Sequence, residues 1–274
     1  MKNLNNLTRM AVITLLMLQV CLICGCKNII GSGVIVAGST SVQPYAEILA
    51  EEFMLLHPEY EIDIQGGGSS AGITAAQRGT AEIGMSSRAL KEKEQGLIAI
   101  EIAKDGLAII IHPSNPISDL TLSQIRDIYT GNVKDWSKLG GKPAKIHVFA
   151  REEGSGTRTA FEDLVMDKQR ITSSAIVQDS NGAVRQLVCG DPNSIGFISL
   201  GLVDNTVKAL SLDGVVPTRE NVMNGTYSLF RPFLFVVNQN PAGLVKKFID
   251  FTLSGEGQQM LINEGLIAAA EGGK

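Results

Sequence analysis

Four short segments are rich in hydroxyl side chains, three of them also contain glycine, and their chemistry suits an anion. They are residues 38–41 (GSTS), 66–70 (GGGSS), 86–88 (SSR) and 151–157 (REEGSGT). Hydroxyls donate hydrogen bonds without adding net charge, glycine lets a ligand approach the backbone, and arginine adds a permanent positive charge. One such segment alone indicates only a helix start, because serine and threonine are preferred N-caps. Four together, two of them with an arginine, favour an anion-binding site.

The elements that must position these segments alternate between strand and helix. Short apolar or β-branched runs predict strands at residues 34–37, 60–64, 82–85, 97–103, 106–112, 145–150, 174–178, 194–199 and 230–238. Apolar residues at helical spacing predict helices at residues 42–56, 71–78, 120–129, 155–166, 183–188 and from 242 onward. Repeated strand–loop–helix units imply parallel sheets covered by helices. At least three of the four segments open a helix, where unpaired backbone N–H groups attract anions.

The first 26 residues have the pattern of a targeting segment. Lys2 and Arg9 form a positive start, and residues 11–25 carry no charge over a stretch shorter than the roughly 20 residues that span a bilayer. The letters ICGC end at Cys26 and resemble the lipobox of bacterial lipoproteins. We therefore expect a signal peptide over residues 1–25, lipid on Cys26 and a tether over residues 26–32. Lipidation of Cys24 and an uncleaved transmembrane anchor are the alternatives.

Composition and motifs exclude several classes of partner. The formal net charge of −4 over 274 residues makes nucleic acid a poor partner. The histidines His57, His112 and His147 are not spaced as ligands, and the expected mature chain lacks a cysteine pair, so we expect no metal. No glycine-rich segment continues as Gly-Lys-Ser/Thr or has the acidic residue that a dinucleotide site needs. No cofactor is therefore expected.

One motif allows an enzyme interpretation. Residues 68–72 (GSSAG) match G-x-S-x-G between a predicted strand and helix, the pattern of a nucleophile elbow with Ser70 as nucleophile. The histidine of such a triad follows an acid late in the chain, and no histidine occurs after His147. We therefore expect no enzyme, and a secreted serine hydrolase using Ser70 remains an alternative.

Taken together, the segments resemble the phosphate-binding proteins of ABC importers, the PstS family, from about residue 34 to the C-terminus. The matching segments are residues 37–41, 67–72, 83–88, 105–106, 129–131 with Trp136, 151–157 and 195–197, of which R-x-x-G-S-G-T is the most specific. The resemblance implies an α/β, two-lobed periplasmic-binding-protein fold of type II, with two mixed sheets covered by helices. Two hinge crossovers near residues 108–114 and 230–238 would join lobe 1 (33–110 plus 235–274) to lobe 2 (111–234).

The resemblance also implies a phosphate site between the lobes. Carried over residue by residue, it consists of Ser39, Thr40, Ser69, Ser70, Ser87, Arg151, Ser155, Gly156 and Thr157. Arg151 would make a charge-assisted contact with the oxyanion, and hydroxyls and backbone N–H groups would add neutral donors. Some family members have an aspartate in place of Ser87, which accepts the proton that phosphate carries and sulfate lacks. Another tetrahedral oxyanion such as sulfate is therefore the alternative ligand.

The physiological role follows from the same resemblance. It implies a monomeric lipoprotein on the outer face of the cytoplasmic membrane, held there by its lipid alone. The protein would close on phosphate and deliver it to an ABC permease that a separate ATPase drives. A sensor or adhesion domain remains an alternative, because one fold serves many functions. We expect Trp136 to pack beneath a loop, and Glu152 and Glu153 to be solvated.

Overall fold

Strands and helices alternate along residues 33–269, the part of the chain that the computed structural model describes. Cys26 and the expected signal peptide and tether lie outside these residues. The strands are β1 (Gly33–Gly38), β2 (Glu61–Gly66), β3 (Ile83–Ser86), β4 (Ile98–Ile111), β5 (Asp119–Leu120), β6 (His147–Arg151), β7 (Ile176–Gln178), β8 (Ser194–Ser199), β9 (Lys208–Ala209), β10 (Ser211–Leu212), β11 (Phe230–Val237) and β12 (Ile267–Ala268). The helices are α1 (Gln43–Leu56), α2 (Ser69–Arg78), α3 (Leu122–Thr130), α4 (Gly156–Phe161), α5 (Asn181–Gly190), α6 (Arg219–Met223), α7 (Gly243–Leu253) and α8 (Gly255–Asn263).

Shorter helical turns complete the described elements. They are the 3-10 turns Glu92–Glu94, Trp136–Leu139 and Leu200–Leu202, and a π-helical turn, Glu162–Met166, that continues α4. No helix among residues 33–269 is both long enough and apolar enough to span a bilayer. The C-terminal segment was expected to be helical throughout. It instead turns after α8 at Gly265, whose φ of 85° lies in the left-handed region, and ends in β12 against β4.

The main sheet is mixed, with parallel strands at both ends and antiparallel strands in the middle. Its order is β2-β1-β3-β11-β4-β8-β6-β7, and β9 and β12 pair with β4 beside this path. Strand β1 is parallel to β2 and β3, and β6 is parallel to β7 and β8. Strand β11 is antiparallel to β3 and β4, and β4 is antiparallel to β8. Repeated strand–loop–helix units alone predict parallel strands, so they did not predict the antiparallel strands in the middle of the sheet.

Strand β4 belongs to both halves of the sheet. The sequence predicted two separate stretches at residues 97–103 and 106–112, whereas one continuous strand, Ile98–Ile111, covers both. Its first part, residues 98–106, pairs with β11, and Leu107 to Ile111 pair with β8. A single strand with different partners at its two ends therefore connects the two halves.

Two apolar cores flank this connection. The first core contains Val36 of β1, Phe53 of α1 and Phe248 of α7, all almost fully buried. The second core contains Trp136 and the stacked rings of Phe161 and Phe197, whose centroids are 4.1 Å apart. The buried Trp136 indole N–H donates to the Asn193 carbonyl at 2.9 Å, so this residue packs as expected. Each half of the sheet thus has its own core.

A buried ion pair joins the two long central strands. Asp105 of β4 and Arg231 of β11 are register partners, and their side chains are only 1% and 2% exposed. The Arg231 guanidinium donates to Asp105 Oδ2 from Nη2 at 3.0 Å and from Nε at 3.2 Å, and the Ser199 hydroxyl donates to Oδ1 at 2.7 Å. Burial raises the pKa of Asp105, and the Arg231 charge and the Ser199 hydrogen bond oppose this effect. The pair lies where β4 changes partner from β11 to β8.

Replacing Asp105 with asparagine should destabilise the fold strongly. The change is nearly isosteric, but it leaves the Arg231 charge buried without a counterion, which typically costs about 3–5 kcal/mol. We expect that loss in the free energy of unfolding measured by urea denaturation. Asp250→Asn is the matched control, because it breaks the exposed Lys246–Asp250 pair and should cost about 0.5 kcal/mol or less. Equal losses in the free energy of unfolding of the two variants would show that the buried pair stabilises the fold no more than an exposed pair does.

Candidate anion-binding site

The loops that follow parallel strands bring helix N-termini to one place. Helices α1, α2, α4 and α5 follow β1, β2, β6 and β7 respectively. Because β1, β2 and β3 are parallel, as are β6, β7 and β8, the carboxyl ends within each set share one sheet edge. The backbone N–H groups that begin each helix therefore lie beside the hydroxyl-rich loops.

Three serines from three of these loops form a buried hydroxyl cluster. The Ser39 hydroxyl donates to Ser87 Oγ at 2.9 Å, and the Ser69 and Ser87 oxygens are 3.2 Å apart. The Ser87 backbone N–H donates to Ser69 Oγ at 3.0 Å. All three side chains are buried. Segments that lie up to 48 residues apart in sequence thus meet in one polar cluster.

The N-terminus of α4 contacts this hydroxyl cluster directly. Gly156 lies so close to Ser69 and Ser87 that a methyl group in its place would overlap both hydroxyl oxygens. Thr157 Oγ1 lies 2.7 Å from Ser41 Oγ, and the Ser70 backbone N–H donates to the Gly154 carbonyl at 3.1 Å. The REEGSGT segment therefore closes onto the loops of the first half of the chain.

Arg151 supplies the charge of the site. It ends β6, its side chain is 1% exposed, and its guanidinium is a permanently charged planar fork. Its Nη2 donates to Thr40 Oγ1 at 3.0 Å, and its Nη1 donates to Asn181 Oδ1 at 3.2 Å. Its Nε and Nη2 also donate to the two carboxylate oxygens of Glu152, at 2.9 and 3.0 Å. The carbonyls of Gln178 and Asp179 are further acceptors.

Most of the residues expected at the site are brought together. Ser39, Ser69 and Gly156 each contact Ser87. Thr40 contacts Arg151, and Thr157 contacts Ser41. The hydroxyls of the two exceptions have other partners. Ser155 is the N-cap of α4, where its oxygen accepts the Arg158 backbone N–H at 3.2 Å. Ser70 is half-buried in the first turn of α2, where its oxygen accepts a 3.3 Å hydrogen bond from Arg88.

Sequence reasoning missed three residues of this site. The Asn181 amide donates to Ser41 Oγ at 2.7 Å and accepts from Arg151, so Asn181 and Ser41 extend the cluster. A sequence signal that could have identified Asn181 is the further strand–loop–helix junction at residues 178–181. Glu152 was expected to be solvated, and this was wrong, because its carboxylate pairs with Arg151 and is 31% exposed. Glu153 is exposed, as expected.

The second arginine of the hydroxyl-rich segments has a different partner. Arg88 is buried and donates to both carboxylate oxygens of Glu94, at 2.8 and 3.0 Å. The hydrogen bond from Arg88 is the main cause that lowers the pKa of Glu94. Arg88 therefore contacts Ser70, but its charge is paired with the Glu94 carboxylate.

The geometry does not assemble a hydrolase triad around Ser70. His147 begins β6 and its Nδ1 lies 2.6 Å from Asp191 Oδ2. Ser70 instead bonds to Gly154, beyond the other end of that strand, and the five residues of β6 span about 13 Å. Among residues 33–269 no group of three or more histidine, cysteine, aspartate or glutamate side chains is placed to hold a metal ion.

Comparisons with known proteins agree with this fold. The model of the PBP superfamily domain matches residues 30–256. The chain is 32% identical to the phosphate-binding protein PstS of Bacillus subtilis over 84% of this chain and 78% of that protein. It is 33% identical to the phosphate-binding protein PstS of Pseudomonas aeruginosa over 84% of this chain and 81% of that protein.

Two solved structures of phosphate transport proteins have a similar fold. A putative phosphate ABC transporter substrate-binding protein with bound phosphate from Clostridium perfringens superposes with a TM-score of 0.85 at 46% identity, covering 87% of this chain and all of that one. An ABC-type phosphate transport receptor from Vibrio cholerae has a TM-score of 0.74 at 38% identity, with 87% and 100% coverage.

These similarities confirm the expected fold. The two mixed half-sheets share β4 and are covered by helices, as in type II periplasmic binding proteins. The family model covers well over half of the chain, and two curated relatives exceed 30% identity over most of their length. The chain therefore belongs to the PstS family of phosphate-binding proteins within the PBP superfamily.

Proposed function

We propose that this chain is an extracytoplasmic binding lipoprotein that captures inorganic phosphate and delivers it to an ABC import permease. The observation that carries the proposal is that the buried hydroxyls of Ser39, Ser69 and Ser87 meet the start of α4, and that the same strand-to-helix segment begins with the buried Arg151. The relatives support it, since they are named phosphate-binding proteins and one solved structure contains phosphate. The protein would catalyse no reaction and need no cofactor.

The chemistry of the site suits a small dianion. Arg151 would form a charge-assisted hydrogen bond with one oxyanion oxygen, and such bonds are about twice as strong as neutral ones. The hydroxyls of Ser39, Thr40, Ser69, Ser87 and Thr157, and the backbone N–H groups of Thr40, Gly156 and Thr157, would bind the remaining oxygens. Ser70 and Ser155 would act through the helix turns that they begin. The net charge of −4 does not oppose this binding, because salt screens distant charges beyond about 8–10 Å.

If the chain has two lobes, phosphate binding between them would hold them closed. We assign residues 33–110 plus 235–274 to lobe 1 and residues 111–234 to lobe 2, with β4 and β11 as the crossovers. Around the hydroxyl-rich loops, the lobes would then be connected by hydrogen bonds of Ser41 with Thr157 and Asn181, of Thr40 with Arg151, and of the Ser70 backbone N–H with the Gly154 carbonyl. A phosphate ion that bonds to both sets of residues would hold the lobes closed. The closed form would dock on the permease, and a separate ATPase would drive import.

The cellular placement depends on the N-terminal segment. We propose that cleavage after residue 25 leaves Cys26 as the lipidated N-terminus, and that this lipid alone holds the monomer on the outer face of the cytoplasmic membrane. The support is the ICGC sequence after an uncharged stretch of residues 11–25.

Removal of the Arg151 side chain should weaken phosphate binding. Arg151→Ala leaves the oxyanion without its positive partner, so calorimetric titration of the soluble chain from Lys27 onward should show at least a thirtyfold loss, an estimate of about 2 kcal/mol. Arg170→Ala, at an exposed arginine, is the matched control and should leave the affinity unchanged. If Arg151→Ala kept its affinity within a factor of two, the site assignment would be wrong.

A methyl group at Gly156 should disturb the contact between the loops. Gly156→Ala overlaps the hydroxyl oxygens of Ser69 and Ser87, and such overpacking costs about 1–3 kcal/mol, so phosphate affinity should fall by about tenfold. Gly182→Ala, also in the first turn of a helix, meets no atom within 4 Å and should bind phosphate like the native protein. Calorimetry of both variants compares the two sites, and equal affinities would place the ligand away from Gly156.

Cys26 should determine membrane attachment. In cells that produce the full chain, Cys26→Ala should move the protein from the membrane fraction to the soluble extracytoplasmic fraction and abolish the mass increase of acylation. Cys24→Ala should remain in the membrane fraction with its lipid. The reverse pattern would identify Cys24 as the lipidated residue, and membrane retention of both variants would favour a transmembrane anchor.

A further inference from the structure

A buried contact beside the central strands joins α1 to the turn that follows β8. Tyr45, in the first turn of α1, is 2% exposed, and its ring packs against Phe233 of β11 with the ring centroids 5.8 Å apart. A methyl group built on Gly201 would overlap the Tyr45 hydroxyl oxygen and would lie 3.0 Å from the Glu264 carbonyl oxygen. Glycine at position 201 therefore lets the Leu200–Leu202 turn approach both α1 and the end of α8 closely.

This contact lies between the same two sheet edges as the candidate anion-binding site. Strands β6 and β8 are parallel, so their carboxyl ends, Arg151 and Ser199, share one edge, and Gly201 follows there. Tyr45 comes four residues after Ser41, in the helix that starts beyond the carboxyl end of β1. Under the lobe assignment given above, Tyr45 belongs to lobe 1 and Gly201 to lobe 2. The contact is therefore a second place where the two lobes touch.

We propose that the contact of Gly201 with Tyr45 is the stop at which the lobes come to rest when they close on phosphate. The stop would set the phosphate affinity without touching the ligand. Tyr45 and Gly201 are thus positioning residues, because they act through the loops that closure brings together. This inference rests on the proposed function, the closure of two lobes on phosphate.

The Tyr45 hydroxyl does not hold this arrangement together by hydrogen bonding. Its oxygen is buried and has no hydrogen-bond partner within residues 33–269. A buried hydroxyl without a partner loses its hydration uncompensated, so a phenylalanine ring would pack here at lower cost. The hydroxyl oxygen therefore acts as a projection on a buried ring, which suits a steric stop.

The surroundings of the contact allow the lobes to separate there. An open crevice of about 420 Å³ borders it, lined by Val203 and Arg219 on one side and Asn263 on the other. Tyr45 belongs to the first apolar core, whereas Leu200 packs against the second. A change in the angle between the lobes would therefore break the contact and leave both cores intact.

The experiment adds one methyl group at the stop and then removes the atom that this group overlaps. The soluble chain from Lys27 onward is compared with Gly201→Ala, Tyr45→Phe, the double variant and Gly190→Ala. Gly201 has no positive φ, so alanine fits its backbone and the effect of the change comes from the overlap. Gly190→Ala, at the end of α5, meets no atom within 4 Å and is the matched control.

Three quantities are measured for each protein. Calorimetric titration gives the phosphate affinity, and release of radiolabelled phosphate into excess unlabelled phosphate gives the dissociation rate. Urea denaturation gives the free energy of unfolding of the ligand-free protein.

We expect Gly201→Ala to bind phosphate about tenfold more weakly, because the added methyl group holds the lobes apart. Its dissociation rate should rise by about the same factor, since the open form still captures the ion at the native rate. The ligand-free variant should unfold at the native urea concentration, because open lobes leave room for the methyl group.

The other variants separate this steric effect from other causes. Tyr45→Phe alone and Gly190→Ala should keep the affinity within about twofold of the native value. The double variant should regain most of the affinity that Gly201→Ala loses. The nearest remaining atom, the Glu264 carbonyl oxygen at 3.0 Å, has to move by only a few tenths of an ångström.

Four results would overturn this inference. Native affinity in Gly201→Ala would mean that the contact does not limit closure, and higher affinity would mean that it lies on the far side of the pivot. A double variant as weak as Gly201→Ala would remove Tyr45 from the stop. A ligand-free Gly201→Ala that is destabilised or unfolded would show permanent packing. A native protein that binds no phosphate would instead refute the proposed function, which keeps the two failures distinct.

Discussion

The site depends on one constraint, the placement of a permanent positive charge in a position that water hardly reaches. A buried guanidinium is stable only when its N–H groups are paired, and Arg151 is 1% exposed. Its partners come from four parts of the chain: the Glu152 carboxylate, the Asn181 amide, the Thr40 hydroxyl and the carbonyls that end β7. Satisfying this one side chain therefore fixes the positions of the loops that surround it, and those loops carry the hydroxyls.

The same charge explains why the surrounding donors are neutral. A second cation beside Arg151 would add repulsion, whereas hydroxyls and helix N-termini direct partial positive charge at an anion without changing the net charge. Arg88, the other arginine of the hydroxyl-rich segments, is held away by its ion pair with Glu94. Glu152 partly neutralises Arg151 and adds an acceptor to a site of donors. Positive charge and neutral donors together suit the site to an anion.

The central strands couple this site to the whole sheet. Strand β4 pairs with β11 along one part and with β8 along the other, and the buried pair of Asp105 with Arg231 lies at that change. Each half of the sheet has its own apolar core, so either half can keep its packing while the strands between them bend. Under the proposed function, binding between the halves would be converted into movement at the crossover strands without loss of either core.

The order of most strands and helices was determined by the sequence alone, because apolar periodicity and turn residues act locally. The hydroxyl-rich segments were also recognisable, since their composition suits helix N-termini and anions wherever they fold. Only the tertiary structure decided which side chains meet. Asn181 and Ser41 joined the cluster through a contact across 140 residues, whereas the Ser155 hydroxyl caps its own helix and the Ser70 hydroxyl accepts from Arg88. Glu152 and Glu153 are chemically identical neighbours, yet one pairs with Arg151 and the other faces solvent. That difference depends on the direction of each side chain at the end of β6, which residue type and spacing do not encode.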